Sequence, residues 1–291
     1  MTQAMTARLL AGDNLPHLAA LADASVDLVY LDPPFNSGAH YGLLSAAGDD
    51  AGLRAFEDVW RWDEHADAAF DGLCAGGSPH LARAMEGFEL LLERSPTLAY
   101  LAFLAPRLVE LRRVLRDSGS IYLHCNWAAC HSLKLLLDAI FGAECFLNHI
   151  VWLYGLGGSS PRFWPRKHDD LLWYGRTAGA HYFVADRVEA SSRRMAGRTK
   201  KAPDYWDIPT LNNMAKERTG YPTQKPEALL ERVIRSSCPA DGIVLDPFCG
   251  AGTTPAVADR LGRGWIAMDA AVPAIETTAR RLGLDGPENV T

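Results

Sequence analysis

Two short stretches hold residues whose types and order could do chemistry. Asp32-Pro33-Pro34-Phe35 stands at the end of the apolar run Val26 to Leu31. Proline pins φ, and the residue before a proline stays extended. Two prolines in series therefore hold a stiff backbone that presents the Asp32 carboxylate and a carbonyl in fixed relation, with the flat face of Phe35 beside them. Such acceptors suit the N–H groups of a planar amine, and the ring can stack it. The second stretch, Asp246-Pro247-Phe248-Cys249-Gly250-Ala251-Gly252-Thr253-Thr254, follows the run Ile243 to Leu245. Gly250 and Gly252 let the chain turn sharply and let a ligand approach, and residues 253 and 254 fall near a helix start, where free N–H groups favour polar ligand atoms. A further strand, Gly264 to Met268, ends at Asp269, 23 residues after Asp246. In open sheets a carboxylate at that place commonly holds a ribose. G-x-G-x-x-G is absent and no P-loop lysine follows, so the ligand indicated has an adenosine part and needs no diphosphate. Read alone, each stretch also fits a structural turn, one rich in glycine and one rigid with a capping aspartate.

The elements that must position these loops alternate along the chain. Strand-like runs lie at 8–13, 26–31, 121–123, 146–154, 171–174, 243–245 and 264–268. Helical spacing of apolar residues covers Leu98 to Leu115, His131 to Phe141 and Pro226 to Cys238, and a helix runs from the glycine loop to Leu261. Asp117-Ser118-Gly119 is read as closing the first of these helices. Strand–helix alternation over most of the chain predicts an α/β sheet with helices on both faces. Residues 43–95 are mixed and acidic without a strong strand signal, and are read as helices and loops inserted after the Pro-Pro element.

Composition narrows the partners. The chain has 291 residues, 48% hydrophobic and 22% charged, with a formal net charge of −6. A histone-like binder is excluded, yet a local basic face is not. Five of the basic residues, Arg193, Arg194, Arg198, Lys200 and Lys201, fall within nine positions, a charge pattern that suits phosphates; a solvated loop is the plainer alternative. The six cysteines form no C-x-x-C, so neither a zinc ribbon nor a disulfide scaffold is expected. His124, Cys125, Cys130 and His131 cluster in sequence across a strand-to-helix change, and no metal site is expected of them. No apolar run is long enough for a membrane span, and a cytoplasmic protein is expected.

Taken together in this order, the motifs resemble the amino-group DNA methyltransferases that use S-adenosyl-L-methionine. Asp32-Pro33-Pro34-Phe35 matches their catalytic tetrapeptide, Asp246 to Thr254 their cofactor loop, and Tyr221-Pro222-Thr223-Gln224-Lys225-Pro226 the segment that packs before that loop. The tetrapeptide precedes the cofactor loop, which is the permuted order of the beta class. The resemblance implies one catalytic domain over 1–291. Its fold is a seven-stranded, mostly parallel Rossmann-like sheet with one reversed strand and helices on both faces, carrying a mostly helical insert at 43–95 and a small target-recognition segment at 176–220. It implies that Phe248, Gly250 and Gly252 shape the cofactor pocket, that Thr253 and Thr254 lie beside the cofactor's carboxylate end, and that Asp269 bonds the ribose. It further places Asp13 near the adenine, and Thr223 and Lys225 in the segment covering the methionine part.

The implied reaction is direct methyl transfer to an exocyclic base amine, leaving S-adenosyl-L-homocysteine, with Asp32 and the Pro33 carbonyl gripping the amine and Phe35 stacking a base flipped out of double-stranded DNA. A short specific site and a restriction–modification setting in a prokaryotic nucleoid go with it. The insert is open between a lid, a DNA-backbone contact and a dimer surface, and a homodimer is compatible. No Pro-Cys pair occurs, which excludes ring-carbon methylation of cytosine, and Cys249 is read as packing. The longer run Asp32 to Ser37, with Phe56-Glu57-Asp58-Val59-Trp60 downstream, resembles a subgroup that includes cytosine-N4 enzymes. Cytosine N4 is therefore favoured over adenine N6. The competing classes are an RNA or protein-amide methyltransferase and a non-catalytic DNA-binding module. Trp206, Asn212 and Asn213 are further candidates for base contacts.

Overall fold

The computed structural model describes residues 6–35, 39–42, 54–76, 78–155, 159–190, 197–212 and 214–287. Its strands are β1 (Ala7–Ala11), β2 (Val26–Leu31), β3 (Ala39–Gly42), β4 (Arg54–Asp58), β5 (Leu115–Cys125), β6 (Phe146–Leu153), β7 (His168–Gly175), β8 (Arg187–Glu189), β9 (Thr199–Lys201), β10 (Tyr205–Asp207), β11 (Ile243–Asp246) and β12 (Gly264–Asp269). Its helices are α1 (Asn14–Ala20), α2 (Glu64–Gly76), α3 (Pro79–Leu92), α4 (Pro96–Val114), α5 (Cys130–Phe141), α6 (Glu227–Ser237), α7 (Thr253–Arg260) and α8 (Val272–Leu282).

One sheet runs in the order β1-β12-β11-β2-β5-β7-β6-β10. β7 alone is reversed, antiparallel to both β5 and β6. The sheet thus holds the seven expected strands, one of them reversed, and an eighth. That eighth strand is β10, three residues paired to β6 along the outer edge. It escapes a sequence reading because three residues show no periodicity. Strand side chains alternate between two cores, as a sheet covered on both faces requires. Val29, Leu31, Ile121, Leu123, Leu245 and Met268 pack on one side under α4 and α5. Leu28, Tyr30, Tyr122, Val244, Trp265 and Ala267 pack on the other with α6 and α7. All six residues of β2 are buried.

Three readings change. Asp117-Ser118-Gly119 does not close a helix: α4 ends at Val114, Leu115 is already extended, and the three residues form an irregular part of β5 where its register to β2 shifts. Arg54–Asp58 forms a strand paired antiparallel with β3, in a stretch read as helices and loops. α1 and α8 had no expected counterpart. The former is capped by the Asp13 side chain, and the latter carries a proline in its first turn and closes on Gly283. No helix among the described residues is long and apolar enough to cross a membrane.

Candidate active site

β11 lies beside β2 in parallel, with Val244 opposite Leu28 and Leu245 opposite Val29, so Asp246 and Asp32 leave neighbouring strands at one edge. β12 lies on the other side of β11 and ends at Asp269. This is the crevice outside strand carboxyl ends where open α/β sheets take ligands. The loops enclose one pocket there. Asp32, Pro33, Pro34 and Phe35 line it from one side, Asp246, Phe248, Gly250, Thr253, Thr254 and Asp269 from the other, and Thr223 and Lys225 from a third. Lining residues without a predicted role include Tyr30, inside β2, Asp58, at the end of β4, and Leu230 of α6.

The glycine loop is fastened from several elements. Asp269 accepts the Gly250 N–H at 2.9 Å and the Ala271 N–H at 2.9 Å, one with each carboxylate oxygen. Asn14 donates to the Pro247 carbonyl at 2.7 Å, and Thr278 donates to the Gly250 carbonyl at 3.0 Å. Gly250 and Gly252 both have positive φ, +51° and +70°. A Cβ on Gly252 would come to 2.7 Å of the Thr278 hydroxyl. Gly252 does not itself line the pocket; it sets the left-handed turn before α7. Thr253 donates to the Lys225 carbonyl at 3.1 Å, which ties the covering segment to the helix start. Burial, then Asp269 and Asp246, raises the Cys249 thiol far above its ordinary range, in keeping with a packing role.

Four carboxylates line this pocket, those of Asp32, Asp58, Asp246 and Asp269, against one basic side chain, Lys225, among the described residues. Burial pushes Asp246 up to about 7, opposed by its hydrogen bonds to Thr254 and the Phe248 N–H, with Asp32 and Asp269 adding to the rise. Asp269 is raised for the same first reason. Such a pocket favours a ligand that is itself positively charged. A donor with a sulfonium and an ammonium group fits the donor set, and the close turn at Gly250 leaves its backbone open to that ligand beside Tyr221, whose ring a Cβ there would approach at 3.4 Å.

The Pro-Pro loop holds a surprise. Lys225 reaches 193 positions back along the chain to place its ammonium 2.6 Å from Asp32 Oδ2 and 5.2 Å from the centre of the Phe35 ring. An N–H donor thus sits against the acidic acceptor with an aromatic face beside it. Behind Asp32 lies a buried polar array. The His124 ring is fully buried; its Nδ1 is 2.8 Å from the Tyr30 hydroxyl and 3.7 Å from Asp32 Oδ1, and its Nε2 is 3.2 Å from Asp169 Oδ2.

Comparison with known proteins agrees with this architecture. A family profile described as a DNA methylase matches residues 26–280. The chain belongs to the DNA methylase family of N6 and N4 methyltransferases. This methylase is 27% identical over 96% of its length to the type II methyltransferase M.HpaI of Haemophilus parainfluenzae, 74% of which is covered. It is 28% identical over 94% of its length to the DNA adenine methyltransferase YhdJ of Escherichia coli, with 82% of that protein covered. Its fold matches the solved PvuII DNA methyltransferase, described as cytosine-N4-specific, with a TM-score of 0.61 at 16% identity, covering 99% of this chain and 89% of that one.

Some foreseen residues of the methylase lie elsewhere. Asp13 does not line the pocket. It accepts the Leu15 N–H and pairs with Arg107 at 2.6 Å, bordering a separate cleft with Trp60 and Phe103. A strand-end acid serves a helix cap as readily as a ligand, and Arg107 reaches it from 94 positions away. Arg193, Arg194 and Asn213 lie outside the described residues. Arg198, Lys200 and Lys201 sit on or beside β9, which pairs with β8, and none of the three lines the pocket; Lys201 borders a different cleft with Trp173 and Arg232. Trp206 is buried, donates to the Pro203 carbonyl at 3.0 Å and packs in the second core, so it is not available to a base. The Asn212 side chain accepts the Met214 N–H at 2.8 Å in a turn. The sequence cluster of two histidines and two cysteines divides. His131 is exposed, His124 joins Asp169, and Cys130 meets His149, which bonds Asp170 at 2.6 Å.

Residues outside the predicted set gather at the same edge of the sheet. β6 ends and β7 begins there, Leu153 opposite His168, and the connection between them carries Phe163 and the almost fully exposed Trp164. Arg166 lies 3.6 Å over the Trp127 ring, just past the end of β5, and 5.0 Å from Phe163. The signal was legible: Arg162-Phe163-Trp164-Pro165-Arg166-Lys167 interleaves basic and aromatic residues.

Proposed function

We propose that this methylase transfers a methyl group from S-adenosyl-L-methionine to the N4 amine of cytosine in duplex DNA. The observation that carries the reading is the Lys225 ammonium at Asp32 beside Phe35, in one pocket with the glycine loop. It marks an amine-shaped place next to a place for a cationic donor. The donor is consumed in each turnover and supplies an activated methyl group. The protein supplies orientation and electrostatics. Asp32 and the Pro33 carbonyl accept the N–H bonds of the target amine, which frees its nitrogen lone pair, and Lys225 gives up its bond to Asp32 as the amine arrives. Phe35 stacks the base. Asp269 takes the ribose hydroxyls with the lone pairs its backbone bonds leave open, while Phe248, Gly250, Thr253 and Thr254 form the walls and Thr223 with Lys225 the cover.

A base held at Asp32 has left the duplex. The exposed cluster of Trp127, Phe163, Trp164 and Arg166 stands at the same edge and suits bases and phosphates of the opened site. The basic residues Arg193, Arg194, Arg198, Lys200 and Lys201 take phosphates, and the segment 176–220 reads a short sequence. Cytosine is preferred on the run from Asp32 to Ser37 and on Phe56 to Trp60; the E. coli relative's name points to adenine N6 as the other outcome. The test is direct. Duplexes of varied sequence are incubated with labelled donor, digested to nucleosides and analysed by mass. N4-methylcytosine is expected. N6-methyladenine overturns the base preference alone, and transfer only to RNA or protein overturns the DNA assignment.

A further inference from the structure

Transfer to an amine has a second half: the new N–C bond forms as the donor's C–S bond breaks, and the product nitrogen must then lose a proton. Asp32 is the first acceptor. It is poorly placed to be the last, because a protonated Asp32 could not take back the Lys225 ammonium, which rests on its outer oxygen, Oδ2, when no base is bound.

Its inner oxygen faces a route into the protein. Oδ1 is 3.7 Å from His124 Nδ1, one small rotation from a hydrogen bond. The other ring nitrogen bonds Asp169 at 3.2 Å, and Asp169 also accepts from the Tyr154 hydroxyl at 3.1 Å. Asp169 and His124 lie on β7 and β5, strands paired along their lengths, and the rings of Phe35 and Trp152 pack on the imidazole. The histidine is fully buried, so a packing role would call for an apolar ring, and a fully buried imidazole needs its polar atoms met.

We propose that His124, oriented by Asp169, receives the reaction proton from Asp32 and is a positioning residue for the transfer step. This rests on the methyltransferase reading above. The amine's N–H bond breaks as an O–H bond forms on Asp32; that O–H bond then breaks as an N–H bond forms at His124 Nδ1. The site's total charge is unchanged, since a positive imidazolium appears as the positive sulfonium becomes a neutral thioether. Asp169 faces the imidazolium and steadies it, as a carboxylate orients and steadies a histidine in other buried acid–base pairs.

The neighbouring groups suit the role. The Tyr30 hydroxyl is raised far above its usual value by burial, then by Asp32, Asp246 and Asp169. It therefore stays protonated and donates to His124 Nδ1 in the resting state, turning aside when the proton comes. Burial pushes Asp169 up, but the hydrogen bonds it accepts from His124 and Tyr154 and the Lys225 ammonium oppose this, and the carboxyl lies below its ordinary range. Burial, then Asp169, keeps the Tyr154 hydroxyl protonated. The charged or titratable groups around the imidazole are thus Asp32 and Tyr30 from β2 and its loop, Asp169 from β7, Tyr154 after β6, and, one step out, Lys225 and Asp246.

The test is single-turnover methyl transfer to duplex DNA between pH 5.5 and 9, with melting temperature and S-adenosyl-L-homocysteine affinity measured alongside. Wild type should lose rate toward the acid end of that range. His124→Asn should transfer at least tenfold more slowly, with that acid-side loss removed from the profile and ligand affinity within threefold. Asp169→Asn keeps a hydrogen bond but loses the charge, so it should move the acid-side loss to lower pH and slow transfer less than His124→Asn does. Should His124→Asn not fold, Asp169→Asn carries the test. A folded Asp169→Asn or His124→Asn protein with wild-type rate and an unshifted profile overturns the proposal while leaving the methyltransferase reading intact. No transfer to DNA by the wild type would instead remove that reading.

Discussion

The Pro-Pro loop after β2 and the glycine loop after β11 lie side by side and are built in opposite ways. The first is stiff in its own backbone, with two prolines after Asp32, and few bonds from other elements are needed to hold it. The second is permissive in its own backbone, with positive φ at Gly250 and Gly252, and is held from outside by Asp269, Asn14 and Thr278. The contrast follows their tasks. A loop that grips a reacting amine must place one carboxylate accurately, while a loop that wraps a donor must let backbone approach ligand. Chemistry and binding should therefore separate between the two.

The sharpest break of that contrast is Asp32→Ala. Turnover should fall about 10³-fold or more, near 4 kcal/mol of transition-state stabilisation, while donor affinity by calorimetry stays within threefold. Loss of donor binding would show that the loops do not divide their labour.

Next in size is the pH response of the glycine loop. Asp246 rises to about 7 from an ordinary 3.8. A raised carboxyl favours the folded state fully below about pH 4 and loses that contribution as pH climbs through about 7. At about 1.4 kcal/mol per unit, the change is about 4 kcal/mol at most. Denaturant midpoints of the ligand-free protein should fall between pH 5 and 8, Asp246→Asn should flatten that trend, and cationic donor should oppose it. A flat wild-type trend would remove the electrostatic account of the pocket.

Gly252→Ala should cost about 1–3 kcal/mol, since it strains a left-handed residue and presses on Thr278. Thermal melts check this, and an unchanged melting temperature would mean the loop is looser than its bonds imply. The smallest effect is expected away from both loops. Arg198→Ala with Lys201→Ala should weaken duplex binding a few-fold and lessen its salt dependence, with donor affinity unaltered; an unchanged salt slope puts β9 outside the footprint.

Both loops were legible in the sequence because each is governed by its own backbone: proline and glycine act on the residues where they stand. The buried run of β2 was legible for a similar reason, since a strand covered on both faces reads as unbroken apolar sequence. What lay hidden was decided by distant partners. Lys225 meets Asp32 across 193 positions, and His124 meets Tyr30 across 94; nothing near either residue announces it. Asp13 is the converse case: the resemblance sets it near the adenine, and in the fold it caps α1 and pairs with Arg107, 94 positions away.

The central claim is that an amine gripped at Asp32 faces a donor held at the glycine loop. A structure of the complex with S-adenosyl-L-homocysteine and a duplex containing the methylated site tests it most directly. The expected result is one base out of the stack, its exocyclic nitrogen within hydrogen-bond distance of Asp32, its ring on Phe35, and the Lys225 ammonium moved off Oδ2. A base still stacked in the duplex, or one extruded to another part of the surface with the Lys225–Asp32 pair intact, would contradict it.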